Sequence, residues 1–313
     1  MKITYQKIKL ELAVTWKISR NSSDIKENYI IKIQNGDIEA YGECAPNIRY
    51  GETHEIIKNK LEEILKIDTI IDLQRYLAQS NIPHSLECAL QNAHYKYKKQ
   101  NKIFQDKKGP YSTSFSIPIM ELRKIPSYLE KNKGFDSYKI KITNLADIKI
   151  INEVRKYTDK KIRIDANEGF LSKEDYLEFD NLIKNLNIEF VEQPFPANKT
   201  DWYQEIKNKV NIPIMGDESI EKEANFAELA AQFHSINIKL QKCGGIPQAK
   251  QLIKDAKKHG LKVMLGCMIE TSLGIRDALY LAESVDYLDL DGSLLLKEDP
   301  FNYIELKNGN LYF

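Results

Sequence analysis

Long apolar runs are missing from this 313-residue chain. Nothing in it approaches the ~18 consecutive apolar residues of a membrane span, so no transmembrane helix is expected. Charge of one sign is missing too: 46 Lys and Arg stand against 45 Asp and Glu, a net charge of +1. That balance gives no attraction to nucleic acid or to a membrane surface, and the many lysines read most simply as a solvated exterior. Cysteine is scarce. Cys44, Cys88, Cys243 and Cys267 are scattered with no C-x-x-C pair, which argues against a disulfide framework and for reduced thiols in a cytoplasmic protein. The opening MKITYQKIKLELAV lacks a continuous apolar core and a small-residue cleavage site, and reads as a strand rather than a signal peptide. What remains is an ordinary apolar share and enough length for one barrel-sized domain and a smaller one. A homo-oligomer is compatible with that composition.

Residues 1–110 and 111–299 follow different grammars. In the first, residues 2–13, 27–33 and 38–42 alternate as strands do, and Asn35-Gly36 is a hairpin signal between two of them. Residues 53–65 and 85–99 then carry apolar residues at helical spacing, in the second Leu86, Ala89, Leu90, Ala93 and Tyr97. Strands followed by helices predict a small α+β domain. D-K-K-G-P at 106–110 reads as a linker. From Tyr111 onward strand and helix alternate. FSIPI (115–119), SYKIKI (137–142), IRIDAN (162–167), EFVEQP (189–194), IMGDES (214–219), INIKLQ (236–241), LKVMLGC (261–267) and VDYLDLD (285–291) make eight strands. Ser172 with Asp175 marks one helix start between them, and Pro247 and Gly260 bracket another helix. Eight strands spaced by helices close a (β/α)8-type barrel, whose chemistry sits at the carboxyl ends of the strands. The tail, 300–313, has strand character with an Asn-Gly turn and is expected to return to the first domain.

Five successive barrel strands end on one charge each: Lys141, Asp165, Glu192, Asp217 and Lys239, at steps of 22 to 27 residues. Three carboxylates held together repel unless a cation neutralises them or one takes up a proton. An all-carboxylate set without His or Cys suits a hard ion such as Mg2+ and argues against zinc. Alternatively each acid simply pairs with a lysine. Lys139 and Lys141, two apart on one strand, point the same way, and their repulsion would lower one of them toward the range of a general base. Lys239 stands on the sixth strand, opposite the second. Two lysines facing each other over a metal can remove a proton from one face of a carbon and return one to the other. As mere counter-charges to the acids they would do neither.

K-x-K at Lys139/Lys141, D-x-N at Asp165/Asn167, V-E-Q-P, G-D-E-S and N-I-K with a following Gly244-Gly245 resemble, in order, the muconate-lactonizing-enzyme branch of the enolase superfamily, over nearly the whole chain. The resemblance implies a modified (β/α)7β barrel under an N-terminal α+β capping domain that the tail completes. It implies Mg2+ on Asp165, Glu192 and Asp217, with Asn167 and Glu218 beside them. Lys141 and Lys239 would be the acid/base pair and Lys139 an electrostatic helper, in keeping with the known use of a Lys base with Mg2+ in this superfamily. Asp289-x-Asp291 is similar to the hallmark of dipeptide epimerases, where two acids hold the substrate's N-terminal ammonium. GECAPNIRYGET (42–53), KISR (17–20) and GCMIETS (266–272) extend the likeness, the first two as mobile loops closing over the barrel. Substrate contacts are thereby expected at Asp289, Asp291, Arg20, Tyr50, Ser116, Met268 and Ile269. The implied activity is a Mg2+-dependent epimerase that inverts the α-carbon of the C-terminal residue of a dipeptide. It would use two-base 1,1-proton transfer through a metal-stabilised enolate, on L-Ala-D/L-Glu or another L-Ala-X or hydrophobic dipeptide. Arg20 is followed by Asn21-Ser22-Ser23 and not by a further arginine, which leaves an acidic or an apolar second residue open. The rivals are an o-succinylbenzoate synthase or related lyase, which needs no ammonium site, and a phosphate-binding barrel, hinted at by Gly244-Gly245.

Overall fold

The computed structural model describes residues 1–17, 22–79, 81–106, 108–220 and 222–313. Strands β1 (Lys2–Lys17), β2 (Ser22–Asn35) and β3 (Ile38–Cys44) form an antiparallel sheet in that order. β2 and β3 are joined at Asn35↔Ile38 by the expected tight turn, where Gly36 takes φ +59°. Helices α1 (His54–Ile64), α2 (Ile70–Leu77) and α3 (His84–Lys98) follow. Thr53 and Thr69 cap the first two by accepting from Ile56 N and Asp72 N. Ile31, Ile33, Ile57, Leu61, Leu73, Leu86 and Leu90 form the core of this unit. α3 lies so close to β3 that a Cβ at Gly42 would fall 1.9 Å from the carbonyl oxygen of Ala89. Its other side faces the barrel, which is why Glu87, Asn92 and Lys96 are buried on a helix that would otherwise expose them.

After β4 (Tyr111–Ser112) the chain enters the repeat. β5 (Ser114–Ile117), α4 (Ile125–Lys131), β6 (Ser137–Lys141), α5 (Ile148–Arg155), β7 (Lys161–Asp165) and α6 (Lys173–Ile183) make its first part. β8 (Ile188–Glu192), α7 (Thr200–Ile206), β9 (Ile214–Gly216), α8 (Phe226–Gln232) and β10 (Ser235–Lys239) continue it. α9 (Leu240–Cys243), α10 (Ile246–Lys258), β11 (Lys262–Gly266), α11 (Ser272–Leu279) and β12 (Tyr287–Asp289) complete it. β5 to β12 form one eight-stranded parallel sheet in sequence order. A single 3-10 turn, Gly292–Leu295, follows the last strand, so the barrel is of the modified (β/α)7β kind. Its two ends are sewn together by side chains: Leu290 N donates to Thr113 Oγ1 (2.8 Å), Ser114 Oγ to Asp289 Oδ1 (2.5 Å) and Ser116 N to Asp291 Oδ2 (2.7 Å).

The tail returns to the end of the first unit, where Lys108 and Phe313 exchange backbone bonds and the Phe313 ring meets Phe104. β13 (Glu305–Lys307) and β14 (Asn310–Tyr312) pair with β4, and not with the β1–β3 sheet. Leu311 enters the barrel core and the Phe313 ring stacks on Tyr111. Only Leu296 and Lys297, ahead of the tail, reach β1, at Leu12 and Glu11. Among the described residues no helix is long and apolar enough to cross a membrane.

Candidate active site

Period-two alternation decides what the barrel encloses. Outward residues such as Ile140, Ile164, Val191, Ile214, Ile236, Ile238 and Val263 join the core beneath the helices. Inward, Phe190, Met215, Met264 and Tyr287 form an apolar floor, with the Arg163 guanidinium between the Phe190 and Tyr287 rings, 5.5 and 5.4 Å from their centroids. Lys139 and Asn237 stand in register with this floor, and one step nearer the mouth the inward positions are Lys141, Asp165, Glu192, Asp217, Lys239 and Asp289. The charges singled out in the sequence therefore lie together, at the strand ends.

Lys139 is the hub. Its Nζ lies 2.7 Å from Glu192 Oε2, 2.7 Å from Asp289 Oδ2 and 3.1 Å from Asp165 Oδ2. Lys141 Nζ is 2.5 Å from Asp165 Oδ2 and Lys239 Nζ is 2.7 Å from Asp217 Oδ2. Burial opposes the charge on Lys139, but Asp289, Glu192 and Asp165 together hold it well above the usual lysine range. Lys239, partly buried, is likewise held up, chiefly by Asp217. Asp165, despite burial, is held below the usual carboxylate range by Lys141 and Lys139, and Asp217 by Lys239 and Lys242.

Among the described residues no three His, Cys, Asp or Glu side chains form a ready cation cage, because ammonium groups stand between the acids. The donor set nevertheless suits a hard divalent ion. It is three carboxylates from adjacent strand ends, all buried, and one of them, Glu192, is poorly satisfied. Burial and the charges of Asp165 and Asp217 push Glu192 up to about 8 despite Lys139. Glu192 Oε2, though near that lysine, has no hydrogen bond. A divalent cation on these oxygens would remove that frustration.

The pair at the barrel seam splits in two. Asp289 closes β12 and is committed to Lys139 and Ser114. Asp291 lies just past the strand and accepts the backbone N–H of Ser116. No ammonium or guanidinium is bonded to Asp291 among the described residues, and burial with the adjoining Asp289 pushes it up to about 6. Asn167 links its neighbours, its N–H donating to Asp165 (3.0 Å) and its Nδ2 to Glu218 (3.4 Å).

The N-terminal unit closes one side of the mouth. Tyr50 reaches the acid–lysine cluster from a 3-10 turn, Ile48–Tyr50, and Asp217 is the charge that most raises its hydroxyl after burial. Arg49 on the same turn spans to Glu168 beyond β7 with contacts of 3.3 and 3.0 Å. Ile269 packs against Leu10 and Leu12 of β1, and Met268 Sδ accepts from Asn47 Nδ2 at 3.7 Å. Arg20 lies outside the described residues. Gly244-Gly245 is no phosphate cradle: a Cβ at Gly244 would meet the Glu87 carboxyl at 2.9 Å, and one at Gly245 the Asn92 side chain at 2.7 Å. The two glycines let α3 dock on the barrel.

Two contributors were given no role in the sequence, though the first is the Asn of N-I-K. Asn237 Nδ2 donates to Glu192 Oε1 at 2.9 Å; two residues before Lys239 on the same strand, it was findable from the alternation. Lys242 Nζ holds Asp217 Oδ1 at 2.6 Å from α9. It follows Lys239 by three residues across a strand-to-helix turn, and no simple period finds it.

Comparison with known proteins follows this geometry. Residues 127–297 match the family described as enolase C-terminal domain-like. An L-Ala-D/L-amino acid epimerase of Flavobacterium johnsoniae is 33% identical over 99% of this chain and 96% of its own. A crystal structure from Agrobacterium tumefaciens, an enolase family member with homology to dipeptide epimerases and with bound sodium and L-Ala-L-Glu, superposes with a TM-score of 0.89 at 27% identity, covering 99% of this chain and 97% of that one. A dipeptide epimerase from Enterococcus faecalis complexed with Mg and L-Leu-L-Tyr gives 0.87 at 27% identity over 99% and 96%. With the strand-end charges in this order, and likeness along its whole length, the chain belongs to the enolase superfamily, within the family that holds the dipeptide epimerases.

Proposed function

We propose that this protein is a Mg2+-dependent dipeptide epimerase that inverts the α-carbon of the C-terminal residue by 1,1-proton transfer between Lys141 and Lys239. The observation that carries the reading is the pairing of two different features at one barrel mouth. A lysine stands on each side of a three-carboxylate cluster, and a buried carboxyl, Asp291, stands at the seam without a bonded cation. The lysines supply the chemistry and Asp291 the handle for an ammonium.

A hydrogen α to a carboxylate is very weakly acidic, because its removal puts a second negative charge on the same group. Asp165, Glu192 and Asp217 would hold Mg2+, which when bound supplies positive charge to the substrate carboxylate. Lys139, buried and charged, adds a second positive centre on the barrel axis. Lys141 on β6 and Lys239 on β10 approach the α-carbon from opposite faces, one taking the proton and the other returning one. Were Asp217 to hold the cation, Lys239 would lose the carboxylate that chiefly holds its proton and could act as base. Asp291 orients the substrate through its ammonium group, and Asp289, held by Lys139 and Ser114, adds negative charge beside it. Tyr50, Met268 and Ile269 line the side that the N-terminal unit closes.

A small first residue such as L-Ala, with an acidic or apolar second residue, fits the reading, and the name of the Flavobacterium relative supports tolerance at the second position. A reducing, cytoplasmic setting suits four cysteines that are all free thiols. The test is purified protein with Mg2+ and a panel of L-Ala-X dipeptides in D2O. Uptake of one α-deuterium with loss of optical purity is expected; no exchange with any member of the panel contradicts the proposal. A lyase of the o-succinylbenzoate type would instead dehydrate its substrate equally well after Asp291→Asn.

A further inference from the structure

Two motifs are left over once the site is assembled: G-E-C, which ends β3, and I-E-T, which follows β11. Expected in or beside loops over the barrel, their glutamates meet in the joint between the N-terminal sheet and the barrel, with Glu43 1% and Glu270 3% exposed. Glu43 accepts from Asn28 Nδ2 (2.8 Å), Thr271 Oγ1 (2.6 Å), Thr271 N (3.0 Å) and Gly274 N (3.1 Å). Glu270 accepts from Met268 N (2.9 Å) and Gln241 Nε2 (2.8 Å). The same Gln241 accepts from Ala45 N and donates to the Glu43 carbonyl, both at 3.0 Å, and Asn28 Nδ2 also reaches the Ile269 carbonyl at 3.0 Å. A Cβ at Gly274 would fall 2.3 Å from Glu270 Oε2 and 3.0 Å from Glu43 Oε2. The two carboxyl groups therefore face each other across that glycine.

Among the described residues every hydrogen-bond donor to either group is neutral. The nearest ammonium groups are engaged elsewhere: Lys26 donates to the Pro46 carbonyl, and Lys96 holds Asp277 at 2.7 Å. Two buried carboxylates without a bonded cation cannot both ionise cheaply, so one proton stays on the pair. The network also runs in one direction that matters for binding. Its bonds end on the backbone of Met268, Ile269 and Thr271, the segment that walls the substrate pocket.

We propose that Glu43 and Glu270 are a proton-sharing carboxyl pair that fixes the Met268 and Ile269 wall of the pocket against the N-terminal sheet, so that full ionisation of the pair loosens the wall and weakens substrate binding. The inference rests on the substrate pocket assigned above. Both are positioning residues, since neither reaches the reacting carbon. Glu270 is the member that keeps the proton: burial, and then Glu43, push it up to about 8. Glu43 is raised by burial as well, but four neutral donors favour its charged form. The other titratable groups facing the pair are Lys26 from β2, Cys44 and Glu52 from the N-terminal unit, Cys88 from α3, Cys267 after β11, and Asp277 from α11 with its Lys96. A carboxyl raised on folding adds stability that is full below its unfolded value and is lost as pH rises through its folded one. That contribution declines from about pH 4.5 and is exhausted by about pH 8, while the shared proton, and with it the clamp, stays in place until pH reaches about 8.

The experiment uses Mg2+-saturated full-length protein, wild type and Glu270→Gln, whose amide N–H replaces the shared proton permanently. KM and kcat for dipeptide α-exchange are measured from about pH 6.5 to about 9.5, and the amide NMR signals of Thr271 and Gly274 are followed over the same range. In the wild type, KM climbs several-fold through the upper half of that range and both amides titrate with it. In Glu270→Gln only the shallower KM slope of the substrate's own ammonium, which titrates at about pH 8, remains, and the amides no longer titrate. Restoring a carboxyl of shorter reach, Glu270→Asp, brings the titration back. Parallel KM slopes in wild type and Glu270→Gln, or amides that are silent in the wild type, overturn the proposal. A protein that exchanges no dipeptide would sink the epimerase reading, and the amide titration would then decide the carboxyl pair by itself.

Discussion

Asp291→Asn should move activity and stability in opposite directions. In the wild type the carboxyl is buried beside Asp289 and accepts from the backbone N–H and the side chain of Ser116. Its value rises from an ordinary 3.8 to about 6. The native state therefore binds the proton more tightly than the unfolded chain, so the stabilising contribution is full below about pH 4 and is lost by about pH 6 and above. At pH 8 the ionised group costs up to about 3 kcal/mol, from about two units at 1.36 kcal/mol each. Asparagine keeps the shape and can still accept from Ser116, but carries no charge. The variant should then melt about 2 to 5 °C higher than wild type at pH 8, and the gap should close toward pH 4. The same change removes the charge proposed to meet the substrate ammonium. Losing a buried charge-assisted contact costs about 2 to 4 kcal/mol, or about 30- to 1000-fold in kcat/KM. Calorimetric melting at the two pH values and deuterium exchange with an L-Ala dipeptide supply both readings. A lower melting temperature with activity retained would refute the reasoning, because Asp291 would then be a structural residue satisfied in place.

Other outcomes concern the joint that holds the N-terminal unit on the barrel. Lys96→Met leaves Asp277 buried and unpaired and should cost about 3 to 5 kcal/mol by chemical denaturation; adding Asp277→Leu should recover most of it. Asp277 is already raised by burial, so the penalty of the single variant should shrink in acid, where the carboxyl takes a proton; a loss equal at all pH values, or a double variant no better than the single, would speak against the ion pair as the cause. Gly245→Ala should cost about 2 to 4 kcal/mol, since its φ is +111° and the new methyl would meet Asn92 Oδ1, which itself holds Ile246 N at 2.8 Å. Unchanged denaturation of this variant would show that α3 can shift to make room.

The barrel and its charges were legible because both rest on short periods. Each of the five strand-end charges lies where an apolar strand meets its loop, and parallel pairing in register then brings Lys141, Asp165 and Glu192 to one level, as in Lys141↔Asp165↔Glu192. Helix ends were legible where a local bond fixes them: Ser172 accepts from Asp175 N, and Gly260 takes φ +73° after α10. What was not legible concerns contacts between distant segments. Gly244-Gly245 looks the same whether a phosphate or a helix needs the space, and only the position of α3 decides. The tail reads as a hairpin from its Asn-Gly turn, but nothing within it states that β4 is the strand it joins. The acid–lysine pairing and the metal reading were left as alternatives in the sequence. Both apply to the same residues, for the lysines that would serve as bases are also the counter-charges the acids hold here.

Two opposed bases leave a signature that no other arrangement of these residues gives. The measurement is α-proton exchange in D2O, with Mg2+, from each epimer of one L-Ala dipeptide separately, in Lys141→Ala and in Lys239→Ala. Each lysine should be needed for exchange from one epimer, so one variant retains exchange only from the L,L form and the other only from the L,D form, while both lose epimerisation by about a thousandfold or more. Equal residual exchange from both epimers in both variants would contradict proton transfer between Lys141 and Lys239.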